Sequence, residues 1–221
     1  MAVLKVALGR SCPDPVAAAP PKCYIGGMST ALRAPTMTRE EFLSWVERQE
    51  LRHEFDGFVP VAMVGGTLNH SLITGNLNRA LFAALAGTGC RVLGYGAGLA
   101  TAGDAVRYPD ALVTGTAFDG RSRLTPGVIA VFEVLSPRSA RTDRIVKLRE
   151  YAAVPSIRQY VILEHESAAV TVFDRDGPEQ PWSARALTAE DGFLLPVGTV
   201  RIAVAALYAD IAFPPDETER G

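Results

Sequence analysis

The segment Val128-Ile129-Ala130-Val131-Phe132-Glu133-Val134-Leu135 is apolar throughout except for one glutamate. Its β-branched and aromatic content reads as a strand, and a carboxylate inside such a strand is expensive to bury without a partner or a metal. A second acid poses the same problem a little earlier, in Tyr108-Pro109-Asp110-Ala111-Leu112-Val113. These two segments restrict the chain to folds in which strands deliver charged groups to one place.

The remaining elements are consistent with one α/β domain. Thr38-Arg39-Glu40-Glu41 matches a capping box, and Phe42, Trp45 and Val46 follow at helical spacing. Residues 53–61 read as a strand or hairpin turning at Asp56-Gly57. A helix is predicted over 68–86, with Leu68, Ser71 or Leu72, Leu77, Leu81, Ala84 and Leu85 on one side. Strands are expected near 90–95, 98–102, 105–108, 110–114 and 128–135, with glycines at 94, 96, 98 and 103 marking bends. A second helix is expected over 142–153, stopped by Pro155, with Ile145, Leu148 and Ala152 as its core face. Arg144, Lys147 and Tyr151 would share the adjacent face. Strands near 158–164, 168–174, 184–187 and 199–203 complete a mixed central sheet flanked by helices.

Composition narrows the function classes. The chain has 221 residues, 48% apolar and 21% charged, which suits one substantial domain. No apolar run approaches the ~20 residues needed to span a bilayer. Residues 1–36, rich in Ala, Pro and Ser, read as a disordered leader, with Met28 and Met37 as candidate translation starts. The tail 214–221 reads as polar and frayed, leaving 37–213 as the folded domain. Cys12, Cys23 and Cys90 lack metal-ligand spacing and fit free thiols in a reducing cytoplasm. A net charge of −2 gives no overall basic surface for a phosphate backbone. Basic charge is local instead: Arg138, Arg141, Arg144, Lys147 and Arg149 face the single acid Asp143 between 138 and 149.

Hydrolysis of a phosphodiester requires neutralised phosphoryl oxygens, a hydroxide available near neutral pH and a stabilised leaving oxygen. Carboxylates that hold Mg²⁺ while leaving water positions open meet these needs, and a nearby lysine positions water or stabilises developing charge. Asp110 and Glu133 have the chemistry of the ligands, and Lys147 that of the lysine. Each also has a structural reading. Asp110 could be a turn acid, Glu133 a structural ion pair with Arg138 or Lys147, and Lys147 an i, i+4 partner of Asp143. His70 reads as a capping or surface histidine, and Tyr151 as a core-edge aromatic with a hydrogen-bonded hydroxyl.

Tyr108-Pro109-Asp110, Phe132-Glu133-Val134-Leu135-Ser136-Pro137, and Asp143 followed by Lys147 and Tyr151 together resemble the Uma-type family of restriction-endonuclease-like proteins, within the PD-(D/E)xK nuclease superfamily. The resemblance extends upstream to 52–57 and to the helix carrying His70, Ile73 and Leu77, and downstream to 157–163. It implies a restriction-endonuclease-like core and a Mg²⁺- or Mn²⁺-dependent endonuclease acting on DNA, usually as a homodimer. Asp110 would match the first acid of the superfamily pattern and Glu133 the second, with Glu54 completing the metal site. The pattern places a lysine two residues after the second acid, where this chain has Leu135; Lys147 is the expected substitute. Arg138, Arg141 and Arg144 would contact phosphates. A rival reading is a nuclease-fold protein without turnover, acting as a nucleic-acid-binding or assembly module; the acidic balance and Leu135 both suit it.

Overall fold

The computed structural model describes residues 37–63, 65–136 and 142–213, all within one compact unit, Ala34–Gly221. The leader 1–36 and the tail 214–221 expected from the sequence lie outside the described residues.

Helix α1 (Arg39–Val46) starts at the expected capping box: Thr38 Oγ1 accepts the Glu41 N–H at 3.2 Å, and Glu41 Oε2 accepts the Thr38 N–H at 2.7 Å. Its Phe42 stacks on Phe55, with ring centroids 5.0 Å apart, and so fixes α1 on strand β1 (His53–Phe55). Strand β2 (Pro60–Ala62) returns antiparallel after a turn in which Asp56 Oδ1 accepts the Phe58 and Val59 N–H groups, each at 2.8 Å. Gly57 has φ +91°, and a Cβ there would stand 2.2 Å from the Gly103 carbonyl oxygen. The hairpin joins β4 (Leu99–Ala100) and β5 (Val106–Arg107) in a small sheet of order β2-β1-β5-β4.

The larger sheet holds β3 (Arg91–Gly94), β6 (Ala111–Thr114), β7 (Val128–Val134), β8 (Gln159–Leu163), β9 (Ala169–Asp174) and β10 (Ser183–Thr188), in the order β10-β9-β8-β7-β6-β3. Only β7 and β8 are parallel among its pairs. A parallel pair needs a crossover, and the chain supplies it as a π-helical turn, Thr142–Lys147, running into α3 (Leu148–Ala152). Helix α2 (Leu68–Ala84), α4 (Val204–Leu207) and the hairpin β11 (Gly192–Leu194)–β12 (Arg201–Ala203) contribute to the core on one face, with Phe132, Val134 and Val161. The opposite face buries Val131, Leu135, Tyr151, Tyr160 and Ile162. The mixed sheet flanked by helices expected from the sequence is present, but the strands expected at 98–102 and 105–108 fall in the small sheet and that expected at 199–203 pairs only with β11, in a separate hairpin.

Two helix faces differ from the expectation. On α2 the core line is Ile73, Leu77 and Leu81, whereas Leu68 is 84% exposed and Leu72 is also exposed. The i, i+4 line of Ile73, Leu77 and Leu81 meets the sheet, and the N-terminal leucines project past it. On the crossover, Ile145 is 47% exposed, while Asp143, Lys147 and Tyr151 are buried. The wider π turn turns the 143–147–151 line inward, where ionic partners satisfy Asp143 and Lys147. Lys147 and Tyr151 share that face as expected, but Arg144 turns outward to pair with Glu164.

Candidate active site

Strand alternation delivers the two acids. Glu133 points to the same face as Val131 and Leu135, towards the crossover. Asp110 immediately precedes β6, and its Oδ2 accepts the Val134 N–H of β7 at 2.8 Å. His70, in the first turn of α2, places Nε2 3.4 Å from the same oxygen. Asp110 is therefore anchored to the end of β7, beside Glu133 in the chain.

Lys147 reaches this point from the crossover. Its Nζ lies 2.9 Å from Glu133 Oε1, 3.0 Å from Asp143 Oδ1 and 3.2 Å from Glu54 Oε1. The Tyr151 hydroxyl donates to the same Glu133 oxygen at 2.8 Å. Leu135 fills the apolar layer beside Glu133 with Tyr151 and Tyr160. The ammonium enters from the helix, and the strand position two residues past the acid is occupied by packing. Glu54 is engaged by several donors besides Lys147. Arg107 Nη1 donates to its Oε2 at 3.2 Å and the Tyr108 N–H to its Oε1 at 3.2 Å. Arg107 in turn grips Glu150 with two bonds, at 2.7 and 2.6 Å.

The electrostatics follow from this enclosure. Burial pushes the Glu133 carboxyl up to about 8, with Lys147 opposing the shift and Asp143, Asp110 and Glu54 adding to it. Burial acts against the Lys147 charge, but Glu133, Glu54 and Asp143 outweigh it and hold the ammonium above its ordinary value. Burial likewise acts to raise Glu54, and Lys147, Arg107 and the Tyr108 amide together bring it below the usual carboxylate range. The hydrogen bond to Asp110 raises His70 against burial. Lys147 is thus charged near neutrality, while burial works against the charge on its partner Glu133.

Acidic side chains outnumber basic ones in the cluster: Glu54, Asp110, Glu133, Asp143 and Glu150 against Arg107, Lys147 and His70. Asp143 Oδ1 is buried with the Lys147 ammonium 3.0 Å away as its ion-pair partner. Negative charge in excess suits a divalent cation. Among the described residues no three His, Cys, Asp or Glu side chains converge on one metal position. Asp110 and Glu133 are the acids that fit as ligands, because Mg²⁺ is commonly held by one or two carboxylates with water and phosphate oxygens.

Of the residues picked out by sequence, Asp110, Glu133, Glu54 and Lys147 belong to this cluster. Arg144 is exposed beyond it, and Arg138 and Arg141 lie outside the described residues. Tyr151 has the hydrogen-bonded hydroxyl expected, but that bond is to Glu133. His70 faces Asp110 in place of the surface. Arg107 and Glu150 were not singled out, although an arginine one residue before Tyr108-Pro109-Asp110 was a signal.

Three likenesses accompany this geometry. Residues 39–202 match the family described as "Uma2: Putative restriction endonuclease". The chain is 31% identical over 186 residues to the uncharacterized protein slr1290 of Synechocystis sp., covering 81% of this chain and 95% of that protein. Its fold is similar to the crystal structure of a putative nuclease belonging to DUF820 from Anabaena variabilis, with a TM-score of 0.59 at 16% identity, over 78% of this chain and 98% of the other.

Proposed function

This chain belongs to the Uma2 family, described as putative restriction endonucleases, and from that premise we propose that it is a Mg²⁺-dependent endonuclease hydrolysing DNA phosphodiester bonds. The observation that carries the reading is the Lys147 ammonium 2.9 Å from Glu133, at the end of the strand that also anchors Asp110. Asp110 and Glu133 would hold the ion. When bound, Mg²⁺ or Mn²⁺ supplies charge neutralisation at the phosphate and lowers the pKa of water. Lys147 keeps its proton, so it serves as a donor to a phosphoryl oxygen or to water, not as a base. Tyr151 and Lys147 orient Glu133, His70 and the Val134 amide orient Asp110, and Glu54 with Arg107 fixes Lys147. Arg138, Arg141 and Arg144 are proposed phosphate contacts, and the working form is a cytoplasmic homodimer.

Cleavage of plasmid and single-stranded DNA with Mg²⁺ or Mn²⁺ tests the assignment. Asp110→Ala, Glu133→Ala and Lys147→Ala should each lose about a hundredfold or more in rate. Equal residual activity in the wild type and all three variants would remove the assignment from this site. Binding without cleavage in the wild type would favour the non-catalytic module.

A further inference from the structure

Arg52, between α1 and β1, lays its guanidinium 3.5 Å from the Tyr95 ring centroid and 5.6 Å from that of Tyr108. Both lie within the ~6 Å reach of a cation–π contact. Tyr95 is still 68% exposed, and Arg52 Nη1 is buried without a hydrogen-bond partner. Neither feature stabilises the fold well: an exposed ring buries little area, and a buried donor without an acceptor is costly. Beside them lies a cavity of about 410 Å³ walled by Gly96, Ala97, Tyr108, Phe118 and Arg123. That volume is within the range of small-ligand sites.

Proximity to the acids indicates what would use this cluster. Gly94 pairs with Ala111 at the end of the β3–β6 ladder. Tyr95 and Asp110 are therefore each the first residue past the last pair of that ladder, Tyr95 in the turn that follows β3 and Asp110 just before β6. Tyr108 is two residues from Asp110, and its N–H bonds Glu54 at 3.2 Å. We propose that Tyr95, Arg52 and Tyr108 form a stacking site for an unpaired base adjoining the scissile phosphate, so that the substrate is single-stranded DNA in preference to intact duplex. A base in a duplex is stacked on both faces and cannot reach the ring, whereas an unpaired base presents a free π-face to it. The Arg52 guanidinium, behind the Tyr95 ring, places positive charge beside that nucleotide. The inference rests on the nuclease reading above for the position of the phosphate.

The test is fluorescence anisotropy of the full chain with labelled oligothymidylate and with a duplex of equal length, at low salt with Ca²⁺ in place of Mg²⁺. The wild type should bind the single strand more tightly than the duplex. Tyr95→Ala should weaken single-strand binding about tenfold, Tyr95→Phe should restore it, and duplex binding should not change. Tighter duplex binding by the wild type, no single-strand binding, or an unaltered affinity in Tyr95→Ala overturns the stacking site. Cleavage assays on the same proteins separate the two readings. Loss of Tyr95-dependent binding with Asp110-dependent cleavage intact sinks only the stacking site; Tyr95-dependent binding without any cleavage sinks only the nuclease.

Discussion

Glu133 is the residue on which the proposed chemistry turns, because its charge is buried against that of Asp110, Asp143 and Glu54. Its carboxyl is pushed up to about 8 by burial, so the proposed metal would compete with a proton for it near neutrality. Metal affinity measured by calorimetry should rise about tenfold per pH unit below about 8 and level off above it. The metal-free protein should behave oppositely. A carboxyl raised on folding contributes stability that is complete below its unfolded value and is lost as pH rises through its folded one. Glu54 is lowered, so its contribution is present above its unfolded value and disappears on acidification. Denaturant titrations without metal should therefore show a stability maximum on the acid side of neutrality. Glu133→Gln keeps an acceptor oxygen for Lys147 and Tyr151 while removing a charge that burial opposes, and it should keep the metal-free thermal midpoint within a few degrees while abolishing metal binding. Lys147→Ala should instead cost about 3 kcal/mol, since it leaves buried carboxylates facing one another; an unchanged denaturation midpoint would contradict the ion-pair network.

At the scale of elements, the crossover between β7 and β8 does two jobs. It joins parallel strands, and its π turn carries Asp143, Lys147 and Tyr151 inward to Glu133. An amphipathic pattern cannot announce this, because periodicity assigns apolar residues to the core and leaves Ile145 and Lys147 on the wrong sides. The capping box at Thr38 and the turn at Asp56-Gly57 were legible, since both depend on side chains and backbones close in sequence. The turn supports a further expectation. Gly57→Ala would meet both a positive φ and the Gly103 oxygen 2.2 Å away, and should lower unfolding free energy by about 2 kcal/mol or more in urea titration. A variant as stable as wild type would mean that the 101–105 segment yields easily.

For the whole molecule, Arg107 matters most. It lies on β5 in the small sheet and holds both Glu54 of β1 and Glu150 of α3, the helix packed on the large sheet. Arg107→Ala should cost about 3–5 kcal/mol and loosen Lys147 together with Glu54. Urea unfolding followed by circular dichroism should show a lower midpoint with an unchanged m-value if the sheets still unfold together. Two separated transitions would show that Arg107 is what couples them. Sequence alone determined the buried strands, the acids at Asp110 and Glu133 and the family likeness, because alternation and the cost of burying charge act within a few residues. Tertiary structure alone decided that Arg107, Glu150, His70 and Tyr151 join the cluster and that Tyr95 and Asp110 follow the same end of the β3–β6 ladder. Those contacts link positions far apart in the chain, and only the pairing and twist of the two sheets bring them within hydrogen-bond reach.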